Sequence, residues 1–129
     1  VDSAWLRMDQ PTCLMMICGM MLFERRLRPD AVKQLVGQRM LRFHRFTQRV
    51  QGAGAGARWE NDPAFDLDWH VRHLALPAGG DTLEDLVGSL VSTPLERSRP
   101  MWRATERVER RRSSVVPGGG RCSAWALRA

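Results

Sequence analysis

The sequence predicts a mixed α/β domain, because stretches with the character of strands alternate with stretches of helical periodicity. A continuous apolar run at residues 14–23 and an alternating pattern at residues 65–72 indicate strands. Apolar residues at helical spacing follow Pro29 and again follow Asp81. The chain has 129 residues, which is enough for one domain with a modest core, and no internal repeat is visible.

The first third of the chain contains one long apolar segment. Residues 1–12 fit either a short helical turn or an extended lead-in. Residues 14–23 are bounded by Pro11 and by the charged Glu24, which favours a strand buried on both faces. Its four methionines would also suit a lipid-contacting surface, but the simpler interpretation is core. The apolar run is too short for a membrane-spanning helix, which needs about 20 residues.

The next elements are a helix and a second strand. Pro29 and Asp30 suit the first turn of a helix, where proline fits sterically and a negative charge meets the positive end of the helix dipole. Residues 43–50 are expected to continue into a strand. Residues 51–57 form a flexible glycine-alanine connection, and their glycines lack the strand-to-helix setting of a nucleotide loop. The apolar face of the helix comprises Val32, Leu35, Val36, Met40 and Leu41.

The cleanest strand pattern lies at residues 65–72, where apolar and polar residues alternate. In such a strand His70 lies on the polar face, which is typical of a solvated surface. A second helix is expected to begin at residues 81–85, because acidic residues in a first turn are favourable. Its apolar face comprises Leu83, Leu86, Val87, Leu90 and Val91.

The sequence contains no recognisable set of residues arranged for catalysis or metal binding. On a strand, His70 and His73 point to opposite faces, so they cannot easily share a metal ion or a proton. His44 could act as a base only with partners that the sequence does not identify. We therefore predict no catalytic residue and no metal site, and no cofactor-binding residue is identified. The cysteines lack the spacing of a zinc site or a disulfide framework: Cys13, Cys18 and Cys122.

The basic charge of the chain belongs to its C-terminal end. The formal net charge is +6, and residues 103–129 hold seven arginines against two glutamates. The rest of the chain is nearly neutral, so nucleic acid is not an expected partner. We expect a reduced cytoplasmic setting, because no signal peptide is evident and the cysteine usage is unremarkable for such a protein.

A series of short motifs runs along the chain in a fixed order. They are Asp2-x-x-Trp5-Leu6-x-Met8, Pro11-Thr12, Met15-Met16, Phe43-x-x-Phe46-x-x-Arg49-Val50, Trp59, Phe65-Asp66-Leu67-Asp68-x-His70-Val71 and residues 94–102. This series resembles the N-terminal part of bacterial wax ester synthase/diacylglycerol acyltransferases. The strongest match is residues 94–102, which look like the family's segment ending in Pro-Leu-Trp, with Met101 in place of Leu.

The resemblance implies part of a fold related to chloramphenicol acetyltransferase and other CoA-dependent acyltransferases. Such proteins are O-acyltransferases that transfer an acyl chain from acyl-CoA, a co-substrate and not a bound cofactor, to a long-chain alcohol or a diacylglycerol. The products are wax esters or triacylglycerol, so the implied role is in lipid metabolism. Association with a membrane or lipid-droplet surface from the cytoplasm would accord with these partners.

The resemblance also implies a base that this chain lacks. In the family the second His of an HHxxxDG motif follows the Pro-Leu-Trp segment by about thirty residues, after a strand, a glycine turn and another strand, whereas this sequence has no His after His73. We therefore expect residues 1–103 to be an incomplete acyltransferase-like domain. Residues 104–129 are expected to be a divergent basic tail, either poorly structured or frame-shifted, with a genuine basic extension as the competing view.

Two interpretations of the whole chain follow. It is either a catalytically incomplete fragment of an acyltransferase or a non-catalytic protein that binds lipid or another partner.

Overall fold

A four-stranded sheet organises the chain. The computed structural model describes residues 2–74, 82–110 and 121–129. The mixed α/β class predicted from the sequence is confirmed. Within these residues the elements are α1 Asp2–Met8, β1 Cys18–Phe23, α2 Pro29–Arg39, a 3₁₀ helix His44–Thr47, β2 Gln48–Gln51, a 3₁₀ helix Gly54–Gly56, β3 Arg58–Asn61, α3 Leu67–His70, β4 Val71–Leu74, α4 Leu83–Ser92, β5 Arg103–Arg110 and β6 Arg121–Arg128.

The strand order of the main sheet is β1-β6-β5-β4. Strands β4 and β5 are parallel neighbours, and α4 lies in the connection between them, as parallel pairing requires a crossover. Strand β6 pairs antiparallel with both β5 and β1. Strands β2 and β3 form a separate antiparallel pair. In their connection Gly52 has φ 82°, and a Cβ there would lie 2.8 Å from the Gly56 carbonyl oxygen, so this glycine permits the turn.

Helices α2 and α4 begin as their sequences predict. Pro29 occupies the first turn of α2. At the start of α4, the Asp85 backbone N–H donates to the Thr82 hydroxyl at 3.2 Å, and the Thr82 N–H donates to the Asp85 carboxylate at 2.8 Å. This reciprocal capping box satisfies two donors that the first turn of a helix would otherwise leave unpaired. Of the two possibilities for residues 1–12, helix α1 confirms the helical one.

The apolar run at residues 14–23 is not the fully buried strand that the sequence suggests. Only Cys18–Phe23 forms β1, and the side chains of Met21 and Leu22 are 53% and 69% exposed. Strand β1 lies at the edge of the sheet and has β6 as its one partner in the described chain. An edge strand has neighbours on one side only, so its side chains are less covered than those of a central strand.

Two other strand predictions are wrong in part. At residues 43–50 the strand is limited to β2, and a 3₁₀ helix precedes it. At residues 65–72 the alternating pattern forms α3 first, and β4 begins only at Val71. The reason is local, because the Asp66 carboxylate accepts the Asp68 backbone N–H at 2.8 Å and caps a helical turn.

The C-terminal residues join the main sheet. The sequence predicts a poorly structured tail from residue 104, but residues 103–110 and 121–128 are strands β5 and β6. Residues 111–120, the centre of the predicted tail, lie outside the described residues. Pairing with β1 on one side and β4 on the other explains this difference, because strand formation depends on neighbouring strands more than on local propensity.

Helices lie on both faces of the sheet. One face holds the hydrophobic core, where Val36 of α2 packs with Val71, Ala104 and Trp125. The opposite face meets α4, because the buried guanidinium of Arg128 donates to carbonyl oxygens at the end of that helix. Neighbouring residues of a strand point to opposite faces, which is why one strand can serve both layers.

Candidate functional site

A cavity of about 230 Å³ opens between five segments of the chain. They are the segment before β1, the 3₁₀ helix before β2, strand β3, the connection from α4 to β5, and the residue after β6. Two of its lining residues, Asp9 and Arg45, are charged. The other lining residues are apolar: Leu14, Met15, Met16, Phe46, Trp59, Pro94, Leu95, Met101, Trp102 and Ala129.

The end of strand β6 lies at this cavity. Ala129, the residue after β6, lines it, and its backbone is fixed by the segment that leads into β1. The Ala129 N–H donates to the Ile17 carbonyl oxygen at 3.0 Å, and the Ile17 N–H donates to the Ala129 carbonyl oxygen at 2.8 Å. This reciprocal pair sets the direction in which β6 meets the cavity.

An ion pair closes one wall of the cavity. The Arg97 guanidinium donates to the Asp9 carboxylate at 2.8 Å and to the Asp9 and Leu6 carbonyl oxygens at 3.2 and 3.3 Å. The Met15 backbone N–H donates to the same carboxylate at 3.0 Å. Burial acts to raise the pKa of Asp9, but these hydrogen bonds and the charge of Arg97 outweigh it and hold the pKa below its ordinary value. Asp9 is therefore an ionised anchor between the N-terminal segment and the segment after α4.

Behind the cavity wall, His70 lies in an aromatic stack. Its ring is fully buried between Phe65 and Trp102, with centroid distances of 5.1 and 4.4 Å and interplanar angles of 21° and 19°. His70 Nδ1 lies 2.8 Å from the Trp102 carbonyl oxygen. A carbonyl can only accept, so Nδ1 carries the proton and Nε2 holds the lone pair of the neutral ring. The sequence-based placement of His70 on a solvated face is wrong, because the helical turn of α3 rotates the side chain inward.

The protonated form of His70 is disfavoured in this setting. Burial has the largest effect and lowers the pKa of His70, and the charges of Arg103 and Arg99 lower it further. The hydrogen bond to the Trp102 carbonyl and the charge of Asp62 act to raise the pKa, but the net shift is downward. His70 Nε2 is buried without a hydrogen-bond partner in the described chain, so a proton there would have no acceptor.

We expect the free energy of unfolding to fall as the pH drops below about 6.5, the ordinary pKa of histidine. The unfolded chain takes up the His70 proton before the folded chain does, so acid favours unfolding with a slope of up to about 1.4 kcal/mol per pH unit. Urea unfolding between pH 5 and 8 measures this slope. His70→Phe should reduce it, whereas the matched change His44→Phe at an exposed ring should not. Equal slopes in both variants would contradict the assignment.

His73 takes a different position. It lies on β4 beside Glu106 of β5, and its Nδ1 lies 2.7 Å from the Glu106 Oε2 atom. The Glu106 side chain is fully buried, whereas the His73 side chain is 35% exposed. His70 and His73 thus have separate partners, the Trp102 carbonyl oxygen and the Glu106 carboxylate. The buried Glu106 gives no signal in the sequence, because its partner is 33 residues away.

The structure does not gather the other sequence candidates into a site. His44 is exposed on the first 3₁₀ helix and does not line the cavity. Cys13 and Cys18 are free cysteines. Over residues 2–74, 82–110 and 121–129, no cluster of His, Cys, Asp and Glu is arranged to hold a metal ion. In the same ranges, no helix combines the length and the apolar character needed to cross a membrane.

Comparisons with known proteins agree with the fold. A family model described as the wax ester synthase/diacylglycerol acyltransferase catalytic domain matches residues 1–112. A Mycobacterium tuberculosis (strain CDC 1551 / Oshkosh) protein named "Probable diacyglycerol O-acyltransferase tgs3" is 36% identical over 110 residues, which are 78% of this chain and 40% of that protein. The protein named "Probable diacyglycerol O-acyltransferase tgs1" from strain ATCC 25618 / H37Rv is 38% identical over 79 residues, or 57% of this chain and 17% of that protein.

A solved structure is similar over nearly the whole chain. The wax ester synthase/diacylglycerol acyltransferase from Marinobacter aquaeolei VT8 matches with a TM-score of 0.67 and 26% identity, covering 99% of this chain and 32% of that protein. The chain thus spans 40% or less of the length of these relatives. Since the family model matches residues 1–112 of 129, the chain belongs to the wax ester synthase/diacylglycerol acyltransferase catalytic-domain family.

Proposed function

We propose that this chain forms part of the acyl-transfer site of an enzyme that esterifies a long-chain alcohol or a diacylglycerol with an acyl group from acyl-CoA. The observation that carries the proposal is the apolar cavity at the end of β6. Cavities that bind small molecules are mostly apolar with a few polar groups, and this one has ten apolar lining residues beside Asp9 and Arg45. Such a lining suits the hydrocarbon part of an acyl donor or acceptor.

The reaction needs a base, and the three histidines of the chain do not place one at the cavity. In acyl transfer the acceptor oxygen attacks the thioester carbonyl carbon, the new ester C–O bond forms, and the C–S bond breaks to release the CoA thiol. The hydroxyl proton must pass to a base within hydrogen-bonding reach. His44, His70 and His73 do not line the cavity, and His70 Nδ1 is committed to a carbonyl.

The position of β6 supports a base from the family's HHxxxDG motif. The resemblance places that motif after a strand, a glycine turn and another strand, and the chain has β5, then Gly118-Gly119-Gly120 in its sequence, then β6. Residues that continued directly from Ala129 would enter at the cavity wall. This order favours the interpretation that residues 104–129 are read in frame and belong to the family's fold. It argues against the alternative that they are a frame-shifted tail.

The encoding DNA and an ester-forming assay test the proposal together. We expect the reading frame to continue from codon 129 into a His-His-x-x-x-Asp-Gly sequence. We also expect the protein that includes this sequence to form ester from acyl-CoA and a long-chain alcohol, whereas residues 1–129 alone form none. Changing the second His of that motif to Ala provides the inactive control. Robust turnover by residues 1–129 alone, or the absence of the motif from all three frames, would overturn this assignment.

A non-catalytic binding protein is the second candidate, and the cavity itself favours it, because an apolar cavity can hold a lipid without a base. Met15 and Met16 contribute adaptable side chains to its wall, in line with the lipid-contacting alternative for the methionine-rich run. Saturable binding of acyl-CoA without ester formation by the longer protein would favour this candidate.

We place the protein in the cytoplasm at a membrane or lipid-droplet surface, where its acceptors would be found. Helix α1 supports this location, since the side chains of Trp5 and Met8 are 54% and 58% exposed. Tryptophan is enriched at membrane–water interfaces, because its ring is both apolar and able to donate a hydrogen bond.

A further inference from the structure

Three arginines surround the ring of Trp69, outside the cavity. The guanidinium carbons of Arg103, Arg99 and Arg72 lie 4.1, 4.8 and 5.3 Å from the ring centroid. These residues come from β5, from the connection before it and from β4, so the fold and not local sequence brings them together. We refer to Trp69 and these three arginines as the arginine cluster.

The arginine cluster is rich in hydrogen-bond donors and poor in acceptors. Each guanidinium offers five N–H donors. Within the described chain, Arg72 donates its Nε–H to the Trp69 carbonyl oxygen at 3.1 Å, and Arg99 donates to the Ala64 carbonyl oxygen at 3.5 Å. Arg103 has no hydrogen-bond acceptor there, and its Nε is buried without a partner. Most donors of the cluster therefore have no acceptor within the described chain.

The charges of the arginine cluster are not neutralised by nearby carboxylates. None of its three arginines lies within 4.0 Å of an acidic oxygen in the described chain. Glu96 acts on Arg103 through its charge, but the Glu96 carboxylate accepts a hydrogen bond from the Ser98 hydroxyl. Burial, followed by repulsion from Arg72 and Arg128, lowers the pKa of Arg103. Three cations held beside one ring repel each other, and a bound anion would relieve that repulsion.

The Trp69 ring explains how the cations can be held together, but not why three are present. A guanidinium over an indole face gains about 0.5–2 kcal/mol. An indole has two faces, so it accounts for two stacked cations more readily than for three.

We propose that the arginine cluster binds a phosphate group. Phosphate suits it because guanidinium groups donate pairs of parallel hydrogen bonds to phosphate oxygens. Arg72 is exposed, so the cluster can be reached from solvent. The phosphate could belong to a soluble nucleotide-type ligand such as CoA or to the headgroup of an anionic phospholipid. The proposal goes beyond acyl transfer, because such a site would bind its ligand whether or not an ester is formed.

Titration of the purified protein at low ionic strength tests the proposal with four probes. They are inorganic pyrophosphate, CoA, CoA without its 3′-phosphate, and phosphatidylcholine vesicles with or without phosphatidic acid. We expect Arg99→Gln and Arg103→Gln each to weaken phosphate binding at least about tenfold, since a hydrogen bond to a charged group contributes about that factor or more. Binding of the soluble probes alone identifies a soluble ligand, and binding of phosphatidic acid vesicles alone identifies a lipid headgroup.

Two controls keep the test decisive. Arg58→Gln removes an exposed arginine of β3 and should leave the affinities unchanged. Arg99 lies outside the helices and strands, so Arg99→Gln should preserve the fold even if Arg103→Gln does not, and circular dichroism checks both. Equal affinities of the wild-type, Arg99→Gln and Arg58→Gln proteins for every probe, or no binding of any probe, would overturn the proposal. Ester formation is not measured, so failure here leaves the acyl-transfer proposal standing.

Discussion

Replacing Trp102 with alanine is expected to lower the free energy of unfolding by about 3–5 kcal/mol, which is the usual cost of removing a large buried aromatic side chain. Trp102 is 2% exposed and stacks on the His70 ring. Its ring also meets Phe46 edge-on at a centroid distance of 5.9 Å. The indole N–H donates to the Phe46 carbonyl oxygen at 2.8 Å, so truncation also leaves that carbonyl without its donor.

The loss is large relative to the whole stability of a domain, which is about 5–15 kcal/mol. Urea unfolding followed by circular dichroism measures it. Trp102→Phe keeps an aromatic ring but loses the N–H donor, so we expect a smaller cost of about 1–2 kcal/mol. Trp5→Ala is the matched control, because that side chain is 54% exposed and its loss should change stability by less than about 0.5 kcal/mol. Equal costs for Trp102→Ala and Trp5→Ala would contradict the central position of Trp102.

The elements that the sequence predicts well are those whose information is local. Helix α4 has a capping box within four residues of sequence and an apolar face at helical spacing. Helix α2 begins at a proline that suits its first turn. Each of these signals lies within one or two helical turns, so it can be recognised without knowledge of the rest of the fold.

The region around His70 shows where pattern alone fails. Alternation at residues 65–72 suits a half-buried strand, but the same residues satisfy a capped helical turn. The deciding contact is between His70 and Trp102, which lie 32 residues apart. A buried imidazole that bonds a distant carbonyl is indistinguishable in sequence from a solvated one, so neither the burial of His70 nor its tautomer can be predicted from the local sequence.

The local sequence does not predict strands β5 and β6, for a related reason. The arginine-rich sequence in and after β5 is typical of a solvated segment beyond the end of a domain when it is considered without its neighbours. In the sheet, β5 pairs with β4 and β6, so its hydrogen bonds are satisfied by strands that precede and follow it. The sequence motifs indicate the family, but the cavity forms only where five separate segments of the chain meet, which no single motif specifies.

Replacing Arg128 with methionine is expected to lower the free energy of unfolding by about 2 kcal/mol. Arg128 is 2% exposed and donates to the Leu90 and Thr93 carbonyl oxygens at 2.6 and 3.0 Å. Each such hydrogen bond from a charged donor contributes about 1.5–3 kcal/mol. The positive charge also lies at the negative end of the α4 dipole. Because Arg128 is buried, the fold bears a desolvation cost for this cation, and the same burial lowers the pKa of Arg128. Methionine removes that cost, so the net loss is smaller than the two hydrogen bonds together.

Thermal and urea unfolding of Arg128→Met, Arg128→Lys and Arg58→Met separate these contributions. Both hydrogen bonds come from the Nη1 atom of Arg128. Lysine keeps the charge, but its ammonium group is more strongly hydrated than a guanidinium and is costlier to bury, so the stability of Arg128→Lys should fall between those of the wild type and Arg128→Met. Arg58→Met removes an exposed arginine from a strand and should change stability by less than about 0.5 kcal/mol. If Arg128→Met were as stable as the wild type, the desolvation cost would equal the whole benefit of the hydrogen bonds. Arg128 would then position α4 without stabilising the fold, and the Leu90 and Thr93 carbonyls would have to find water in its place.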